Sequence, residues 1–161
     1  APFLTEDLAF NTPTLYGSSE PLVRARGRCI GGCIDVLKDL LGTPYDGTQT
    51  FLNRYASDGI IWYFDNFSLS AEVVYRTLLQ MKFADWFNPS FTRAVLVGRT
   101  AFESSDTGMT YTQALSMALG DIPWICGMDI GHTIPHFTMI NGAILSVICA
   151  HGAAQLRFEL I

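Results

Sequence analysis

The unbroken apolar run Ile60, Ile61, Trp62, Tyr63, Phe64, led in by Gly59 and closed by Asp65, most constrains how this chain can fold. It lacks the polar stripe of a surface helix and suits a strand buried on both faces. Such a strand needs a layer above it and a layer below it. A second run, Ala94 to Gly98 (Ala-Val-Leu-Val-Gly), repeats the pattern. Between them Ser70 offers an N-cap to a helix through Val73, Val74, Leu78 and Met81, and Asn88-Pro89 marks the following loop.

The rest of the chain continues the alternation. Residues 1–21 hold Pro2, Pro13, Pro21, Gly17 and Ser18-Ser19, and read as a linker or domain edge ahead of a single domain over 22–161. Leu22 to Ile30 can be extended, and Gly31-Gly32 predicts a turn. From Cys33 the residues Ile34, Leu37, Leu40 and Leu41 predict a helix that Gly42-Thr43-Pro44 stops. Thr110 and Gln113 form a capping box for a helix through Leu115 and Leu119, ended by Gly120. Ile122 to Gly127, Ala143 to Ala150 and Gln155 to Leu160 read as strands, with a loop over Met128 to Pro135 and a turn at Gly152. Short strands alternating with helices make the fold α/β, or mixed α+β.

Composition narrows the functions. The 161 residues are 49% hydrophobic, enough for one independent core. A net charge of -5 with scattered Lys and Arg argues against nucleic acid as a partner. No run reaches the roughly eighteen apolar residues of a membrane span. The first residues lack Met, a basic region and an apolar core, so they read as a cut inside a longer protein rather than a signal peptide. Cys29, Cys33, Cys126 and Cys149 form no Cys-x-x-Cys pair. Cys149 and His151 alternate on a strand-like stretch, but nothing supplies a second pair of ligands, so neither a metal nor another cofactor is expected. A chain with this much core needs no disulfide framework, which points to the reducing cytoplasm.

Two positions stand out chemically. Asp65 sits where a buried strand ends, and a carboxylate there leaves water only with a partner, although Asp65-Asn66 also suits a turn or cap. His132 lies in a loop punctuated by Gly131 and Pro135 after a strand, where α/β folds place working residues; His136 is its decoy. If the strands over 60–65 and 122–127 end side by side, Asp65 can accept the Nδ1 proton of His132 and leave Nε2 as a base. No serine lies in a Gly-x-Ser-x-Gly elbow, so the nucleophile of such a triad is missing. Cys33, after Gly31-Gly32 at a helix start, is a rival nucleophile whose thiol a helix N-terminus would acidify.

Several segments together resemble the LD-carboxypeptidase and microcin-immunity peptidase family of serine peptidases. They are Arg28-Cys-Ile-Gly-Gly-Cys-Ile-Asp-Val-Leu37 with Leu41-Gly-Thr-Pro-Tyr45, Gly59 to Asp65, and Tyr75 to Gln80 with Ala84 to Phe87. Val95 to Arg99 and Asp129-Ile-Gly-His132-Thr-Ile-Pro135 followed by Gly142 complete the set. They run in the family's order over about residues 26 to 150 and match its C-terminal domain.

The resemblance implies a Ser-His-Glu hydrolase of two domains, in which an N-terminal domain supplies serine and oxyanion hole and this domain supplies base and acid. It implies a swivelling three-layer fold of sheet, sheet and helices. It places His132 at the base position and Asp65 at the acid position, where the family usually has Glu. Asp is one methylene shorter, so its strand end must lie closer to His132, or a water must bridge them. Glu72 is another carboxylate to weigh, but it falls in the first turn of a helix, where the dipole is reason enough. The implied reaction is hydrolysis of the amide before a terminal D-amino acid, as in cytoplasmic recycling of murein tetrapeptides; related members cleave acyl or peptidyl nucleotides. The implied partners are the N-terminal domain, a small peptide ending in a D-amino acid, and a second copy, since members are commonly homodimers. This chain alone is then expected to be inactive. A non-catalytic binding or oligomerisation domain on the same fold is the alternative.

Overall fold

The computed structural model describes residues 15–160. Those residues form strands β1 (Gly17–Ser18), β2 (Leu22–Cys33), β3 (Ile60–Asp65), β4 (Thr92–Gly98), β5 (Trp124–Met128), β6 (Ile144–Ala150) and β7 (Ala153–Glu159). The helices are α1 (Ile34–Leu37), α2 (Thr48–Tyr55), α3 (Ala71–Phe83) and α4 (Tyr111–Leu119). All seven strands join one mixed sheet in the order β1-β5-β4-β3-β2-β6-β7. β2 to β5 run parallel, whereas β1 on one flank and β6–β7 on the other are antiparallel.

Every residue of β3 is buried, as its unbroken apolar run requires. Ile60, Trp62 and Phe64 face the helices and pack with Val74, Leu78 and Met81 of α3 and Leu115, Ala118 and Leu119 of α4. Trp62 stacks on Trp86 with centroids 5.2 Å apart and donates its indole N–H to the Trp86 carbonyl at 3.0 Å. Ile61 and Tyr63 face the other way, into a second core with Leu96, Ile125 and Leu145, Val147 and Cys149 of β6. Phe137 and Met139 from the loop before β6 pack against it. The antiparallel flank thus covers the face of the parallel strands that the helices leave bare, giving sheet, sheet and helix layers.

Local signals set the helix starts. Ser70 accepts from the Val73 amide, and Thr110 with Gln113 closes the reciprocal capping box. The other strand limits differ from the expected ones by a residue or two. Three readings need correction. Gly31-Gly32 makes no turn, because β2 runs through it to Cys33; a Cβ on Gly31 would lie 1.7 Å from the Tyr63 carbonyl oxygen, so glycine is there for close approach to β3. The helix expected from Cys33 to Leu41 is one four-residue turn of α followed by a 3-10 turn over Lys38–Leu40. Cys149 and His151 share no strand face: Cys149 is buried in β6, and His151 is exposed in the following turn at φ 52°. α2 was not anticipated. Asp46 starts it by accepting from the Thr48 amide at 3.0 Å, and Leu52 buries it.

Residues 15–21, expected to be linker or edge, lie along β5, with Gly17 and Ser18 opposite Cys126 and Ile125. Pro2 and Pro13 fall outside the described residues. Among the described residues no helix is long and apolar enough to cross a membrane.

Candidate active site

Parallel strands end on one side of a sheet, and β2 to β5 deliver their last residues there together. Asp65 closes β3 and is the register partner of Cys33, which closes β2. The ends of β3 and β5 are not adjacent, contrary to expectation, because β4 lies between them. The loop after β5 therefore has to cross the end of β4 to reach Asp65. Two glycines clear its path. A Cβ on Gly98, at the end of β4, would lie 2.3 Å from the Ile130 carbonyl oxygen, and one on Gly131 would lie 2.2 Å from the Asp65 Cβ.

The crossing brings His132 onto Asp65, with Nδ1 2.5 Å from Oδ2. Asp65 is 6% exposed, whereas the His132 side chain is 47% exposed. A carboxylate at this position accepts the proton of Nδ1, so the neutral ring keeps Nε2 as its acceptor. The Phe67 ring packs against the imidazole with centroids 4.9 Å apart. Arg99 clasps the loop from the exit of β4: its Nη2 lies 2.7 Å from Asp129 Oδ1 and donates to the Pro135 carbonyl at 2.5 Å. Tyr16 donates its hydroxyl to the other Asp129 oxygen at 2.7 Å.

The two principal site residues are thus brought together, and the others are placed apart from them or in lesser roles. His136 is exposed further along the same loop. Glu72 accepts from the Ser105 and Thr107 hydroxyls at 2.7 Å each and from the Thr107 amide at 3.0 Å. Those bonds, that of Ser105 first, hold its carboxyl well below the usual carboxylate range; it ties down a loop and does not orient His132. Cys33 does not have the acidified thiol expected of a helix start. Burial first, with the Asp65 and Asp35 carboxylates adding to it, raises its pKa, and α1 is a single turn. Its Sγ lies 3.7 Å from Asp35 Oδ2. In the sequence Arg99 reads only as the tail of a strand motif, and its grip on Asp129 shows only in the fold. A charged residue directly after a buried strand was the available signal.

A cavity of about 410 Å³ opens beside Asp65, between the ends of β3 to β5 and helices α3 and α4. Phe64, Leu78 and Leu115 give it apolar walls, and Arg99 and Thr133 join Asp65 in its polar lining.

Parallel strand ends carrying a paired carboxylate and imidazole define an α/β domain whose strand-end side chains are chemically capable of acid–base work. The chain belongs to the LD-carboxypeptidase C-terminal domain family, whose model matches residues 26–147. Muramoyltetrapeptide carboxypeptidase from Oxalobacter formigenes is similar in structure, with a TM-score of 0.71 at 22% identity over 92% of this chain and 51% of that one. An MccF-like protein from Streptococcus pneumoniae, solved in complex with AMP, gives 0.66 at 20% identity over 92% and 45%. The microcin C7 self immunity protein MccF, in complex with glutamyl sulfamoyl guanosine, gives 0.59 at 23% identity over 83% and 37%. The chain spans about half or less of the length of these structures. No curated protein sequence matches it.

Proposed function

We propose that this chain is the base-and-acid domain of a serine-type, LD-carboxypeptidase-like hydrolase, with His132 as base and Asp65 as its orienting acid. The contact between His132 Nδ1 and Asp65 Oδ2, at 2.5 Å beside an open ring edge, carries the reading. A preceding domain over and above this one supplies the serine and the oxyanion hole, so the chain by itself is inactive. His132 Nε2 takes the serine proton as the hydroxyl attacks the scissile carbonyl, then returns it to the leaving amine. Water repeats the cycle on the acyl-enzyme. Asp65 fixes the tautomer and stabilises the imidazolium throughout.

The substrate we propose, on the family resemblance and with support from the similarity to a muramoyltetrapeptide carboxypeptidase, is a small peptide ending in a D-amino acid, cut at the last amide, as in cytoplasmic peptidoglycan recycling. The relatives bound to AMP and to glutamyl sulfamoyl guanosine favour acyl or peptidyl nucleotides as a second class. A homodimer is part of the same proposal.

The test compares release of the terminal D-amino acid by a polypeptide carrying both domains and by its His132→Ala and His136→Ala variants. His132→Ala should lose at least about 10⁴-fold in kcat, and His136→Ala should keep turnover. Equal losses would overturn the assignment. An intact parent inert on every LD-peptide and acyl nucleotide offered would favour a non-catalytic binding domain.

A further inference from the structure

We propose that Cys33, Asp65 and His132 form a binding site for a borderline-soft divalent cation of the zinc class. Among the described residues these three are the only group of His, Cys and acidic side chains that could hold a metal ion, and their ligand atoms lie within 4.8 Å of one another. A thiolate, an imidazole nitrogen and a carboxylate oxygen make a donor set that zinc accepts and that magnesium or calcium would not select.

The backbone fixes two of the three ligands. Cys33 and Asp65 are register partners at the ends of adjacent parallel strands, so their side chains start from one spot on the sheet edge. The third comes from a loop whose side chain is half exposed and able to adjust. Tetrahedral bonds of about 2.0–2.1 Å require Nδ1 and Oδ2 to part to about 3.3 Å, a shift of under an ångström. Water would complete the four-coordinate site. Electrostatics favours the ion too. The Asp65 and Asp35 carboxylates that disfavour a lone thiolate attract a cation, and a bound cation reverses the penalty.

The balance is simple. Cys33 gives up one proton to solvent and forms the metal–sulfur bond. The proton on Nδ1 moves to Nε2 as Nδ1 becomes a ligand, and Asp65 binds as its carboxylate. One proton leaves per ion bound, and a dication with thiolate and carboxylate makes a neutral centre. The consequence for turnover rests on the hydrolase reading: an ion on Nδ1 leaves Nε2 protonated, so the base is lost and zinc inhibits until a chelator removes it.

The site is tested on the chain itself, without turnover, by titrating the reduced protein with cobalt(II) as a spectroscopic stand-in for zinc. One equivalent should produce a thiolate-to-cobalt charge-transfer band together with tetrahedral visible bands. Cys33→Ser should abolish the charge-transfer band and weaken zinc binding by more than about 100-fold, since even outer-sphere partners are worth 10–100-fold. Cys126→Ser should keep both. In the unmutated chain, zinc should protect Cys33 from alkylation, mapped by peptide mass spectrometry. No band with the unmutated chain, a band that survives Cys33→Ser, or unchanged alkylation of Cys33 would each overturn the site. If the band forms and the two-domain polypeptide has no hydrolase activity, the metal site stands and the hydrolase reading falls.

Discussion

Gly131 lies directly against Asp65: a Cβ at residue 131 would sit 2.2 Å from the Asp65 Cβ and 2.5 Å from its Cγ, and the glycine has φ of 94°. This contact explains how a carboxylate one methylene shorter than glutamate still meets the imidazole. The loop comes to the acid. Gly131→Ala should push the loop out by about an ångström and add the cost of a positive φ. In a two-domain polypeptide we expect kcat to fall about 100-fold, as for comparable misplacements, with little change in KM. The downfield NMR signal of the His132 Nδ1 proton should disappear in parallel. A persisting signal would mean that the loop yields without opening the pair.

Asp65→Glu, which introduces the residue that the family resemblance leads one to expect there, should be harmful in this chain. The added methylene enters a position that is 6% exposed and already closed by Gly131, and overpacking costs about 1–3 kcal/mol. Asp65→Asn tests the chemistry at nearly constant volume. Its amide donates to Nδ1 and fixes the other tautomer, so kcat should drop about 10⁴-fold while the melting temperature moves far less than in Asp65→Glu. Full activity in Asp65→Asn would remove the acid from the mechanism.

The core strands were legible because β3 and β4 contain short continuous apolar runs, Ile60 to Phe64 and Ala94 to Val97, a pattern that suits a strand covered on both faces. The caps at Ser70 and Thr110 were legible because capping is local chemistry. What stayed hidden depends on neighbours distant in sequence. Gly31 looks like a turn until the Tyr63 carbonyl is seen beside it, and Gly98 has no stated purpose until the loop from β5 crosses it. His132 and Asp65 were readable as a candidate pair from their places at strand ends, and the family resemblance pointed to the same two residues. The insertion of β4 between their strands, and hence the need for a crossing loop, was not.

Glu72 gives a pH dependence with a definite sign. Bonds from Ser105 and Thr107 depress its folded pKa below the ordinary 4.5, so the anion is favoured by folding. The stabilisation it gives the loop over residues 104–107 is complete above that unfolded value and drains away as pH falls through the depressed folded one. Amide exchange at Thr107 should therefore lose protection on acidification below about 4.5. Glu72→Gln should show reduced protection already at neutral pH and no further acid step. A step of the same size in Glu72→Gln would assign the titration to another group.

Arg99 is the clasp on the histidine loop, and its worth is best measured as a coupling. Its guanidinium joins Asp129 at 2.7 Å and the Pro135 carbonyl, with side chains only 23% and 15% exposed for Arg99 and Asp129. Arg99→Met strips a mostly buried carboxylate of its cation and should cost about 2–4 kcal/mol, below the full figure for a wholly buried pair because water still reaches both ends. Asp129→Asn removes the charge and keeps much of the shape. If the two residues act as one clasp, the double variant should be less destabilised than the sum of the singles by about 1–3 kcal/mol, read from denaturant unfolding. Both contacts come from the one terminal nitrogen Nη2, so Arg99→Lys should recover part of the loss, limited by the shorter reach and stronger hydration of the ammonium. Additive single effects would mean that the loop is held by its own packing through Ile130 and Phe137, and that Arg99 could be lost without moving His132 off Asp65.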